Sequence, residues 1–101
     1  MAKKSEVKKQ VLFSRVAFIG IGLIGSSMAL SMRRSGLVGS TIACARRSKT
    51  RKAALRLKIV NEVTDDPAEA VADADLIVIA TPLSAYQTVA KAIAPHLKKD
   101  A

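Results

Sequence analysis

Four apolar residues, Val16 to Ile19, run directly into Gly20, Gly22 and Gly25, and an amphipathic pattern starts at once beyond them. The apolar run reads as a buried parallel strand, the spacing G-x-G-x-x-G as the turn leaving it, and the rest as a helix. Gly20 permits a tight turn, Gly22 lets backbone approach a pyrophosphate, and Gly25 lets the helix pack on the strand. The amides of Gly22, Leu23 and Ile24 then open the helix, where free N–H groups and the positive end of the dipole attract an anion. These five residues are the first candidate contacts for an adenine dinucleotide.

The helix is expected over 23–35. Ile24, Met28 and Met32 recur at i, i+4 and i+8 beside Gly25 and Ala29 and are expected to form its core stripe. Arg33 and Arg34 suit the last turn, and Gly36 the residue just past it. Ser40 to Ala45 reads as the second strand, and its end is the next informative site. NAD-binding units of this kind place a carboxylate about 20 residues past the glycines to accept the ribose 2′-OH. Ala45 stands there instead, followed by Arg46, Arg47, Ser48 and Lys49. A missing acceptor and several phosphate-matching donors predict NADP in preference to NAD, with Ala45, Arg46, Arg47 and Ser48 at the adenosine end.

Residues 48–57 read as a second helix with Ser48 as N-cap, Ala53, Ala54 and Leu57 inside, and Arg51 among the solvated cations. Ile59 to Thr64 is the expected third strand. Asp66 then caps a short helix with Pro67 at its first position, so the Asp65–Asp66 pair is read as capping and not as acid–base chemistry. Asp75 to Ala80 is apolar on both faces and forms the fourth strand. Thr81 and Pro82 close it at the end where ligands bind in such sheets, and join the candidate cofactor contacts. Ser84 and Gln87 suggest a capping box for a last helix bearing Val89, Ile93 and Leu97, which Pro95 should end near Ala94. This alternation predicts a doubly wound, Rossmann-type α/β fold with a truncated parallel sheet of strand order 3-2-1-4. Strand 75–80 is then an edge.

Composition narrows the options further. The 101 residues carry a net charge of +9, unevenly: 1–58 hold 14 Lys and Arg against one acid, and 59–101 hold three against seven. Nucleic-acid binding is not expected, because such basic surfaces work with stacking aromatics and only Phe13, Phe18 and Tyr86 are present. One cysteine, Cys44, excludes an internal disulfide and a cysteine-based zinc site, and no metal site is expected. No apolar segment reaches a bilayer span and no signal peptide is evident, so a cytoplasmic protein without a membrane partner is expected. Residues 1–14 read as a basic tail, with Val11, Leu12 and Phe13 covering the sheet edge, and 15–101 as a partial NAD(P)-binding domain.

GIGLIGSS after VAF, with ADADLIVIATP at 72–82 and IAPHLKKDA at 93–101, resembles the N-terminal part of the prephenate dehydrogenases, including the arogenate and cyclohexadienyl dehydrogenases. The resemblance implies oxidative decarboxylation of prephenate or arogenate with hydride transfer to NAD(P), in tyrosine biosynthesis. It also implies a homo-oligomer whose small-molecule substrate is bound by a further helical domain. That family commonly has an acid where Ala45 stands, so the sequence departs from its pattern there. The family's catalytic histidine is expected in a later segment, and His96, far from the ligand-binding strand ends, does not match it. No catalytic residue is therefore assigned within the 101 residues. The alternatives are a nucleotide-binding module of another reductase, such as a hydroxyacid dehydrogenase, and a non-enzymatic basic interaction domain.

Overall fold

A computed structural model describes residues 12–81 and 86–98. The chain alternates β1 (Phe13–Ile19), α1 (Leu23–Ser35), β2 (Val38–Cys44), α2 (Ser48–Arg56), β3 (Glu62–Thr64), α3 (Pro67–Val71), β4 (Leu76–Ile79) and α4 (Tyr86–Ile93). A 3₁₀ turn, Ala94–His96, ends it. All strand pairs are parallel, in the order β3-β2-β1-β4. The doubly wound sheet anticipated from the sequence is thus present, with β4 at its edge among the described residues.

Alternation along the central strands builds a core on each face. Ala17 and Ile19 of β1, with Ile42 and Cys44 of β2, pack against Ala70, Val71, Ala74 and Ile93 from the α3 and α4 side. Val16 and Phe18 point the other way and meet Ala43, Ala29 of α1, Ala54 of α2 and Val60. A strand with both faces covered must be apolar throughout, which explains the VAFI run.

Several boundaries and faces differ from the sequence reading. β1 starts at Phe13, inside the stretch assigned to the tail, because the amides of Leu12 and Phe13 both donate to the Leu37 carbonyl (2.9 and 3.0 Å). β2 starts two residues early, at Val38, and β3 is only Glu62–Thr64. Met28 is exposed, whereas Ala29 is fully buried and Met32 is partly covered. The helix lies so close to the sheet that a Cβ on Gly25 would fall 3.2 Å from the Ala80 Cβ. Only small residues fit that approach, so Gly25 and Ala29 face inward and the larger Met28 turns out. The side chains of Leu23 and Ile24 lie outside the described residues.

Arg47, not Ser48, is the N-cap of α2, and its side chain makes no capping bond. Leu57 is 60% exposed. The chain reverses there: Lys58 takes a left-handed φ of 57°, its amide donates to the Leu55 carbonyl (3.0 Å), and the Ile59 amide donates to the Ala54 carbonyl (2.9 Å). That Schellman closure throws Leu57 outward and turns Val60 into the core. Asp66 caps α3 as expected, accepting from the Ala68 amide at 3.0 Å. Gly36 closes α1 at φ 72°. Pro95 ends α4 as expected, and Leu97 beyond it is exposed. Ser84 of the proposed capping box lies outside the described residues.

Polar side chains tie the N-terminal end of the sheet. Asp75 accepts from the amides of Ser14 (2.7 Å) and Arg15 (3.1 Å) and pairs with Lys98. Arg15 reaches across the sheet to Ser40 (3.3 Å) and Glu62 (2.5 Å).

Candidate functional site

Three strand ends converge where β1 runs out. The Gly20 amide donates to the Cys44 carbonyl at the end of β2 (2.9 Å), and the Ala80 amide donates to the Ile19 carbonyl from the end of β4 (2.8 Å). Because β2 and β4 flank β1 on opposite sides, this is the point where the strand order reverses. Crevices at such points, outside the carboxyl ends of the strands, are where open α/β sheets bind ligands.

Each glycine meets different surroundings. Gly20 has φ 85°, and a Cβ there would stand 2.9 Å from the Ala80 carbonyl oxygen and 3.1 Å from Thr81 Cγ2. The turn therefore needs a bare, left-handed residue for the chain's own sake. Gly22 is the reverse case: a Cβ there would meet nothing within 4 Å, and its φ of −60° suits any residue. Nothing in the described protein requires position 22 to be bare.

Gly22 is also the N-cap of α1. It supplies no side-chain cap, and the first turn contains no acid. Ser26 closes the turn from below, its hydroxyl donating to the Ile21 carbonyl (3.0 Å) and its amide to the Gly22 carbonyl (2.9 Å). Open space therefore lies over the start of α1, whose first amides have no intrahelical partner, a geometry suited to an anion. Thr81 lies across the turn, with its hydroxyl oxygen buried and without a partner among the described residues. Pro82 lies outside the described residues.

The second part of the site follows β2. Ala45 is held by its amide to the Thr64 carbonyl (3.0 Å) and is partly buried, while Arg46, Arg47 and Ser48 are exposed. The residue that sequence reasoning missed is Arg51. Instead of joining the solvated face of α2, its Nη1 donates to the carbonyls of both Ala45 and Arg46, each at 2.8 Å. A cation near the start of a helix opposes the macrodipole, but Lys49 and Lys52 share that placement, so the sequence alone does not single out Arg51. Cys44 sits next to this loop. Burial pushes its thiol up from the usual value, the charges of Asp66 and Asp65 push further, and Arg51 opposes them.

His96 is exposed on the 3₁₀ turn, far along the chain from the glycines. Among the described residues no group of three His, Cys, Asp or Glu side chains could hold a metal, and no helix is long and apolar enough to cross a membrane.

Parallel strands wound on both faces, a glycine turn at the switch point and a bare helix N-terminus define a Rossmann-type unit of the nucleotide-dependent oxidoreductases. More narrowly, the chain belongs to the family described as NADP oxidoreductase coenzyme F420-dependent, which matches residues 15–101. Cyclohexadienyl dehydrogenase of Zymomonas mobilis subsp. mobilis is 40% identical over 90 residues, covering 88% of this chain and 30% of that one. The crystal structure of prephenate dehydrogenase from A. aeolicus in complex with hydroxyphenyl propionate and NAD+ superposes with a TM-score of 0.79. It is 26% identical over 87% of this chain and 31% of that one. Synechocystis arogenate dehydrogenase gives 0.79 and 29%, over 86% and 30%. The resemblance read from the sequence is borne out, and the chain spans about a third of the length of these relatives.

Proposed function

We propose that residues 15–101 are the dinucleotide-binding portion of a dehydrogenase of the prephenate, arogenate or cyclohexadienyl type. The observation that carries this is Gly22: a residue kept bare where the protein itself leaves open space. A side chain there would enter the volume over the α1 N-terminus, where a pyrophosphate must lie to accept from the amides at 22–24. Gly20 and Gly25 shape the turn and its packing. Thr81, whose buried hydroxyl has no partner among the described residues, stands beside Gly20 at the end of β4, within reach of a dinucleotide bound over the switch point. The bound dinucleotide supplies the hydride acceptor for a substrate that loses hydride and CO₂. The chain's own residues bind and orient it, which is the protein's share of such chemistry.

The reading extends to NADP over NAD. Position 45 offers no carboxylate to accept a ribose 2′-OH or to repel a 2′-phosphate, and Arg46, Arg47 and Ser48 stand exposed beside it as donors. Charge-assisted bonds of about 1.5–3 kcal/mol each make one such contact worth roughly tenfold or more. Titration of the 101-residue chain with 2′,5′-ADP and with 5′-AMP tests both parts. Binding of both with the first tighter is expected; no binding overturns the dinucleotide reading, and equal affinities overturn the NADP preference. In a longer protein the substrate and a partner subunit would be met by other segments. The 101-residue chain alone is expected to show no turnover with prephenate or arogenate.

A further inference from the structure

A ribose bearing a free 2′-OH needs an acceptor at the end of β2, and a ribose bearing a 2′-phosphate needs donors there. With Ala45 in place of an acid, the acceptors remaining on the loop are the Ser48 hydroxyl and main-chain carbonyls. Arg51 Nη1 takes two of them, those of Ala45 and Arg46, at 2.8 Å each. One guanidinium nitrogen thus bridges consecutive carbonyls of the loop that presents Arg46, Arg47 and Ser48. It does so from the first turns of α2, whose start is anchored by the Arg51 amide donating to the Arg47 carbonyl (3.1 Å).

We infer that Arg51 is a positioning residue that sets the 2′ specificity of the site, by occupying the loop's carbonyl acceptors and holding its cationic side chains outward. The inference rests on the dinucleotide reading above. Its physical content is twofold. The guanidinium directs both carbonyls toward itself and so withdraws two of the acceptors a 2′-OH would use, leaving the Ser48 hydroxyl. It also adds a fixed positive charge behind the loop, where it favours a doubly charged phosphate over a hydroxyl without touching either. Arg51 suits this task because its planar fork keeps its charge and its donors in one orientation, partly covered by the loop it holds.

The test compares parent, Arg51→Met and Arg51→Lys, each first shown by circular dichroism to be folded. Methionine keeps much of the apolar stem and removes every donor; lysine keeps a charge and enough donors for both carbonyls. Affinities for 2′,5′-ADP and 5′-AMP are measured by calorimetry for each chain. The parent is expected to prefer 2′,5′-ADP by about tenfold or more. In Arg51→Met that ratio should collapse toward one, with 2′,5′-ADP weakened and 5′-AMP unchanged or tighter, and Arg51→Lys should recover most of it. Equal weakening of both ligands by Arg51→Met would overturn the inference and leave Arg51 a structural brace. An unchanged ratio would overturn it too. A parent that binds neither ligand, or both equally, would show failure at the earlier reading instead, and the inference falls with it.

Discussion

Replacing Gly22 by Asp should move stability and binding in opposite directions. Position 22 is the N-cap of α1, has no side-chain cap and has a φ of −60°, on the side of the backbone map that L-residues occupy. A Cβ there meets nothing within 4 Å. Aspartate is a preferred N-cap, better than glycine by a few tenths of a kcal/mol. Its charge at the positive end of the helix dipole adds about 0.3–1 kcal/mol, and loss of glycine's freedom in the unfolded chain about 0.4–1. The sum, about 1–2 kcal/mol, should raise the melting temperature by roughly 4–16 °C. The new carboxylate would occupy the same amides that a pyrophosphate needs. Loss of two charge-assisted bonds of about 1.5 kcal/mol or more each weakens binding at least a hundredfold. Thermal unfolding by circular dichroism and calorimetric titration with NADP read the two effects separately. A Gly22→Asp chain that binds NADP as tightly as the parent would refute the reasoning, because the open space at Gly22 would then be unrelated to the ligand.

Asp75 is held below the usual carboxylate range by Lys98, then by the amides of Arg15 and Ser14. Its contribution to stability is therefore complete above the ordinary value of about 4 and is lost as pH falls through the lower folded value. Denaturation midpoints from pH 6 to pH 2 should show an acid slope that Asp75→Asn flattens; an unchanged slope counts against the pairing. Lys58 bears a left-handed φ at the end of α2. Lys58→Gly should therefore stabilise by about 0.5–1 kcal/mol in urea unfolding, and a loss of stability would contradict the Schellman assignment. Half-buried Leu76 to Ile79 form the sheet edge among the described residues. An apolar edge templates further strands, so the chain should self-associate. Sedimentation of a stable monomer at high concentration would argue the opposite.

The strand order and the glycine turn were legible because each rests on a local pattern: apolar runs of strand length, glycines at fixed offsets, and Asp66-Pro67 as a helix start. Details set by neighbours distant in sequence were not. Met28 has the spacing of a core residue, yet the close approach of α1 to Ala80 reserves the inner face for Gly25 and Ala29. Leu57 has the spacing of α2's inner side, yet the reversal at Lys58 ends the helix before it. In the site, Ala45 to Ser48 could be located by counting from Gly25. Arg51 could not be separated from the other cations of α2, since its orientation depends on carbonyls five and six residues earlier. Thr81 was legible as a strand terminator, but the burial of its hydroxyl, without a partner among the described residues, is a property of packing alone.

Dinucleotide binding at the switch point can be followed residue by residue in a backbone amide NMR titration of the isotopically labelled chain with NADP. Shifts are expected to concentrate at Gly20, Gly22 and Gly25, at Ala45 to Ser48 and at Thr81, all at the carboxyl ends of β1, β2 and β4. Absence of shifts at the glycines, or a response centred instead on Ser14, Arg15 and Asp75 at the other end of the sheet, would contradict binding at the switch point.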